Sequence, residues 1–105
     1  MLLDGINHVA VITADIDRFV EFYRDVFGCE VVGRQRPPFG TLTFVDIGGG
    51  RDLNVFQLDD TNAEASRQVP MFGRGRLDHV GFQAASLEAF NEVRRRLMAK
   101  DATDG

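Results

Sequence analysis

The sequence has little of what several protein classes require. Among its 105 residues is one cysteine, Cys29, so no intrachain disulfide can form and a disulfide-stabilised secreted domain is excluded. The 12 basic residues are outnumbered by 16 acidic ones, and the net charge of −4 offers no electrostatic footprint for a nucleic acid or an anionic membrane. No apolar run approaches the roughly 20 residues that span a bilayer, and the N-terminus lacks the basic and apolar regions of a signal peptide. We therefore expect a cytoplasmic protein with no nucleic-acid or membrane partner.

The sequence does contain enough apolar residues for one core. Hydrophobic residues make up 44% of the chain and include nine phenylalanines, whereas tryptophan is absent. A chain of this length supports one modest core rather than two independent ones. We therefore expect a single domain over residues 1–105.

The most informative feature is an internal repeat. Residues 6–27 align without a gap with residues 77–98, at an offset of 71 (77 − 6), and the two histidines of the chain, His8 and His79, fall on each other. A repeat of this kind indicates a fold built from a duplicated unit. The chain accordingly divides into a first module (1–58), a linker (59–76) and the start of a second module (77–105).

Each copy opens with the alternation typical of a strand and then changes to a helical period. In the first copy Val9 and Val11 form an apolar face, and His8 lies on the opposite face beside the small residue Ala10. The second copy repeats this arrangement, with Val80 and Phe82 on one face and His79 and Gly81 on the other. Both histidines are therefore expected to face the same way, toward a cavity that the small residues keep open.

The helices that follow have matched start signals. Asp15 and Ser86, again 71 apart (86 − 15), are predicted N-caps, and Gly28 is predicted to end the first helix in the left-handed conformation. Each helix carries one apolar stripe for packing. The stripes are Ile16, Phe19, Val20, Tyr23, Val26 and Phe27 in the first helix, and Leu87, Phe90, Val93, Leu97 and Met98 in the second.

Three further strands are predicted after the first helix, over residues 29–34, 41–47 and 53–58. Turn residues at 37–40 and 48–52 separate them, so the first module is read as strand, helix, strand, strand, strand. The same offset would end the last strand of the second module near position 129 (58 + 71), beyond residue 105. We expect either that the chain is truncated or that a second chain completes the sheet, because long unpaired edges are normally covered.

Three segments carry a resemblance to a known family: residues 7–11 (NHVAV), 19–28 (FVEFYRDVFG) and 73–82 (GRGRLDHVGF). They resemble the vicinal oxygen chelate superfamily, which contains glyoxalase I, the bleomycin and fosfomycin resistance proteins and the extradiol dioxygenases. The resemblance implies an α+β fold in which paired βαβββ modules form a curved mixed sheet, a cup around one divalent metal ion (Zn, Fe, Mn or Ni). It also implies a homodimer that acts on a small molecule.

The ligand positions of this family map onto the sequence residue by residue. The resemblance implies that His8 and His79 occupy the two first-strand ligand positions. On the last strand of the first module, metal-dependent relatives place Glu or His where this chain has Asn54. The fourth ligand, usually Glu, would lie near position 125 (54 + 71), beyond residue 105.

Two functional hypotheses follow from these residues. Two imidazoles and one carboxylate would suit catalytic Zn²⁺ or non-haem Fe²⁺, which favours a glyoxalase-like lyase, isomerase or dioxygenase with an unidentified base. Two imidazoles alone do not make a site, and Asn54 is no base, so the alternative is a metal-free binding or antibiotic-sequestering protein of the bleomycin-resistance type. A strand histidine can also be purely structural. The candidate ligand-contacting residues in either case are Asn54, Phe56, Phe39 and Phe72.

Overall fold

The computed structural model describes residues 1–59, 77 and 79–103. They form β1 (His8–Ile12), α1 (Ile16–Phe27), β2 (Val31–Gln35), β3 (Gly40–Gly48), β4 (Arg51–Leu58) and α2 (Leu87–Ala99). The chain divides into two compact units, Met1–Thr61 and Asn62–Gly105, which we describe one at a time. The first unit has the predicted order of strand, helix and three strands, which confirms the α+β class and a βαβββ module; the second module is incomplete.

The four strands of the first unit form one mixed sheet in the order β1-β4-β3-β2. β1 runs parallel to β4, and the other neighbours are antiparallel. Residues 48–50 connect β3 to β4 and are all glycines with positive φ, so the predicted glycine turn is confirmed. Within the described residues, β4 is therefore the only strand beside β1.

The register divides the side chains of this sheet between two faces, because paired residues project to the same side. The core face consists of Val9 and Val11 of β1, Leu53 and Val55 of β4, and Thr43 and Val45 of β3. The histidine face consists of His8, Ala10 and Ile12 of β1, Asp52, Asn54 and Phe56 of β4, and Leu42, Phe44 and Asp46 of β3. The predicted split of β1 is thus confirmed: its valines are half-buried, whereas His8, Ala10 and Ile12 are exposed.

Helix α1 covers the core face. Ile16 and Val20, at helical spacing, pack with Val45, Leu53 and Val55 in the buried core. The caps are as predicted: an Asp15 carboxylate oxygen accepts from the Arg18 backbone N–H at 3.0 Å, and Gly28 has a φ of 73°. Since α1 occupies one side of the sheet, the histidine face is the side left for a site.

The second unit confirms one prediction and corrects another. The Ser86 hydroxyl accepts from the Ala89 backbone N–H at 3.0 Å and α2 follows it, as the offset predicts. The strand predicted over residues 77–83 is wrong, since no described residue in that range belongs to a strand. In the first unit β1 is held by β4. A strand satisfies its backbone only through such a neighbour, and the described strands all belong to the first unit.

No residue of the apolar stripe of α2 is fully buried, and Val93 and Leu97 are half-buried. Leu87, Phe90 and Met98 are all more than half exposed. On this helix Arg95 and Arg96 both bind Glu92, and they hold the pKa of that carboxyl at about 2. Over the described part of the chain, neither helix has the length and apolar character needed to cross a bilayer.

Candidate metal centre

His8 is held in one orientation by its neighbour in the sequence. Its Nδ1 lies 2.8 Å from the Asn7 side-chain oxygen, which can only accept, so in the neutral imidazole Nδ1 carries the proton and Nε2 keeps the lone pair. A histidine that binds a metal characteristically donates its other ring nitrogen to such an acceptor. The exposed imidazole of His8 therefore has the tautomer that a metal ligand requires.

The entry of the chain into β1 is fixed by an arginine from the start of β4. Arg51 donates from Nε to the Ile6 carbonyl oxygen at 2.8 Å and from Nη2 to the Asp4 carbonyl oxygen at 3.0 Å. The guanidinium thereby holds the segment that immediately precedes Asn7 and His8. The ladder then carries His8 onto the histidine face.

Asn54 lies on the same face as His8, opposite Ala10 in the ladder. Its side-chain oxygen is buried and has no hydrogen-bond partner among the described residues. A buried amide oxygen without a partner is costly, because it has lost water and gained nothing in return. Its ladder partner Ala10 has only a small side chain on this face. Asn54 therefore offers an uncommitted oxygen donor to this face.

The other predicted site residues fall into three groups. Phe56 lies on the histidine face opposite Ile12, and the Phe39 ring lies against it with centroids 5.9 Å apart. Phe72 lies outside the described residues. His79 is described and exposed, and it belongs to the second unit. The first unit thus brings together His8, Asn54, Phe56 and Phe39.

The cysteine and the tyrosine of the first unit are unsuited to nucleophilic chemistry. Burial, followed by the nearby carboxylates of Asp46 and Glu30, raises the pKa of the Cys29 thiol. Burial also raises the pKa of Tyr23. Both stay neutral at pH 7, so neither is an activated nucleophile. An open depression of about 330 Å³ lined by Asp15, Arg18 and three aromatic residues of α1 contains none of the candidate residues.

The donors of the first unit fit part of a divalent metal site. An imidazole nitrogen from His8 and an amide oxygen from Asn54 suit borderline and hard divalent cations respectively. Two such donors do not complete a coordination sphere. Over the described residues, no three side chains of His, Cys, Asp or Glu are grouped so that they could hold an ion. His79 is the remaining predicted ligand.

The sequence interpretation missed two residues that support the site, Asn7 and Arg51. A signal for Asn7 was present, because the repeat places an acceptor side chain directly before each histidine: Asn7 before His8 and Asp78 before His79. Arg51 looked like an ordinary turn residue. Its role depends on the parallel pairing of β1 with β4, which no local pattern predicts.

Comparison with known proteins agrees with the fold. Residues 5–104 match the Glyoxalase/Bleomycin resistance protein/Dioxygenase superfamily, so the chain belongs to that superfamily. A search of curated proteins gave no match.

Three solved structures are similar to this chain in fold. A glyoxylase/bleomycin resistance protein/dioxygenase domain from Frankia sp. EAN1pec is 21% identical with a TM-score of 0.75, over 96% of this chain and 76% of that one. A mutant of the fosfomycin resistance protein FosX from Listeria monocytogenes, complexed with Mn(II) and a dihydroxypropylphosphonic acid, is 19% identical with a TM-score of 0.67, over 95% and 71%. Lactoylglutathione lyase from Agrobacterium tumefaciens is 28% identical with a TM-score of 0.57, over 96% and 73%.

Proposed function

We propose that this protein is a divalent-metal-dependent enzyme of the vicinal oxygen chelate type, a glyoxalase-like lyase, isomerase or dioxygenase that acts on a small oxygenated molecule. His8 and His79 are its metal ligands. The observation that carries the proposal is the combination on one sheet face of a histidine with its Nε2 lone pair available and a buried amide oxygen without a partner. Superfamily membership supports it, and a relative with this fold contains Mn(II).

The part of the proposed site that the first unit supplies has a polar region and an apolar region. A bound divalent cation would supply a Lewis acid that polarises adjacent oxygens of the ligand. Asn7 keeps His8 in the required tautomer, and Asn54 adds an oxygen donor beside it. Phe56 and Phe39 lie further along the same face, where they contact the carbon skeleton of the ligand and exclude water. We place the protein in the cytoplasm as a single-domain subunit of a homodimer, in keeping with its one cysteine and the open edge of β1.

Elemental analysis of the purified protein tests the proposal. Wild type is expected to contain close to one equivalent of Zn, Fe, Mn or Ni per chain, and both His8→Ala and His79→Ala are expected to lose it. Gln35→Ala is the control, because Gln35 lies opposite Leu42 in the ladder, on the far edge strand of the same sheet. If wild type binds none of these metals after reconstitution, the proposal of a metal-dependent enzyme is wrong.

A metal-free binding protein of the bleomycin-resistance type is the second candidate. The specific observation in its favour is that the residue at position 54 is a neutral amide, which is a weaker metal ligand than a carboxylate and cannot act as a base. Such a protein would bind its ligand equally well with and without EDTA in calorimetry. An enzyme of the first type would lose binding or activity in EDTA and regain it with added metal.

A further inference from the structure

One carboxylate of the histidine face lies directly beside His8. Asp52 of β4 is the ladder partner of His8, so the two side chains leave neighbouring strands at the same level and on the same side. Asp52 is only half-exposed. Its carboxylate has neither a hydrogen-bond nor an ion-pair partner among the described residues. A carboxylate without a protein partner has both of its oxygens available for a cation.

His8, Asp52 and Asp46 form one row across the sheet, and the carboxylate of Asp46 already has a hydrogen-bond partner. Asp46 of β3 is the ladder partner of Asp52 on its other side, and its Oδ1 accepts from the Gly48 backbone N–H at 2.8 Å. Asp46 thus stabilises the turn between β3 and β4. Of the two acidic residues next to each other in the row, Asp52 is the one whose oxygens are available.

We propose that Asp52 supplies the anionic metal ligand of the first module, together with Nε2 of His8 and Oδ1 of Asn54. This inference rests on the proposed metal-dependent function. It moves the carboxylate two residues along β4 from the position where the resemblance places it, on the same face of the strand. Asn54 is then a neutral oxygen donor, and the negative charge that a divalent cation needs comes from Asp52.

The spacing of the strands suits this arrangement. Neighbouring strands are about 4.8 Å apart, and the ligands of one ion at about 2.1 Å each lie roughly 3 Å from one another. As ladder partners, His8 and Asp52 therefore start close enough for their donor atoms to share one ion without a backbone movement. One nitrogen and two oxygens favour Mn²⁺ or Fe²⁺ over the softer metals that thiolates select.

The test is Mn²⁺ binding to the full chain, followed by electron paramagnetic resonance. Asp52→Asn is isosteric and removes only the charge, so its melting temperature should match that of wild type while its Mn²⁺ affinity falls by at least about tenfold, a cost that even outer-shell partners can reach. Asp46→Asn is the matched control, because it removes the same charge from the same row and its amide oxygen can still accept from Gly48. It should bind Mn²⁺ as wild type does. Asp52→Glu, which keeps a carboxylate, should bind more tightly than Asp52→Asn.

The outcomes separate this inference from the function on which it rests. Mn²⁺ that couples magnetically to an imidazole nitrogen, is lost in His8→Ala and is weakened in Asp52→Asn supports both. If His8→Ala loses Mn²⁺ but Asp52→Asn binds it as tightly as wild type does, Asp52 is not a ligand. The proposal of a metal-dependent enzyme is then unaffected. Equal weakening in Asp52→Asn and Asp46→Asn also overturns the role of Asp52, because the effect would then be general electrostatics. If no metal binds to wild type, the proposed function fails as well.

Discussion

Two buried polar atoms lack partners among the described residues, and they lie on opposite sides of the sheet. The Asn54 amide oxygen is on the histidine face, where a bound cation would satisfy it. The Thr43 hydroxyl is on the core face of β3, with none of the residue exposed. Its surroundings are the valines and leucine that pack under α1, so no ligand can reach it. We interpret the Asn54 oxygen as part of a binding site and the Thr43 hydroxyl as a buried polar group that lowers the stability of the core.

Replacement of Thr43 by valine is therefore expected to stabilise the protein. Valine keeps the branched shape and replaces the orphaned hydroxyl by a methyl group, which should raise the free energy of unfolding by about 1 kcal/mol. Urea denaturation of the full chain measures the change. Thr41→Val is the control on the same strand and face, because the Thr41 hydroxyl accepts from Arg36 at 3.4 Å and is not an orphan. A loss of stability in Thr43→Val would mean that the hydroxyl has a partner.

At the scale of single residues, the sequence predicted the site residues that lie within the repeat. It did not predict those whose position depends on how the strands pair. His8, Ala10 and the split of β1 follow from local alternation. The pairing of Asp52 with His8 needs β1 to lie parallel to β4, across more than 40 residues of chain (52 − 8), and a shift of one residue would exchange the faces. Local pattern does not determine such a register.

At the scale of elements, the start of α1 is tied to the sheet by a side chain from β4. Besides the Asp15 cap, the backbone N–H of Ile16 donates to the Gln57 side-chain oxygen at 2.7 Å. The first amides of a helix have no partner within the helix, so Gln57 satisfies a group that α1 cannot. The sequence predicted the Asp15 cap from adjacent residues, but Gln57 is 41 residues away (57 − 16) and left no local signal.

Two substitutions at Gln57 separate the hydrogen bond from packing. Gln57→Met keeps the length of the side chain and loses the acceptor, so the free energy of unfolding should fall by about 1 to 3 kcal/mol. Gln57→Glu keeps the acceptor and adds a negative charge near the positive end of the helix, so stability at pH 7 should equal or exceed that of wild type. Chemical denaturation monitored by circular dichroism gives both values. Equal losses in the two variants would show that the hydrogen bond contributes nothing.

At the scale of the whole molecule, the two copies of the repeat are alike in sequence and unlike in structure. Both caps and both helices form where the offset predicts, because caps and helices depend on residues close in sequence. The first copy also forms β1, whereas residues 79–84 form no strand. Helices satisfy their own backbone, but a strand needs a neighbour, and so the prediction failed at the element that local sequence alone cannot fix.

Hydrogen exchange should reveal this difference along the chain. Amides of β4, which has a strand on either side, should exchange slowest, and those of residues 79–84, which lie in no strand or helix, should exchange faster. The amides of α2 are the internal control, because they belong to the same unit and are bonded within the helix. Slow exchange at 79–84, as in β4, would contradict the fold described and indicate a strand supplied by another chain.

Residues of β4 contact three different parts of the protein, and this restricts where its gene can gain or lose codons. Asn54 faces the site, Val55 faces the core and Gln57 reaches the start of α1. Insertion or deletion of one codon within β4 would exchange these assignments at every position beyond it. The three-glycine turn at 48–50 connects two strands, and a codon added there changes no register. Descendants of this gene should therefore differ in length at that turn and preserve the length of β4.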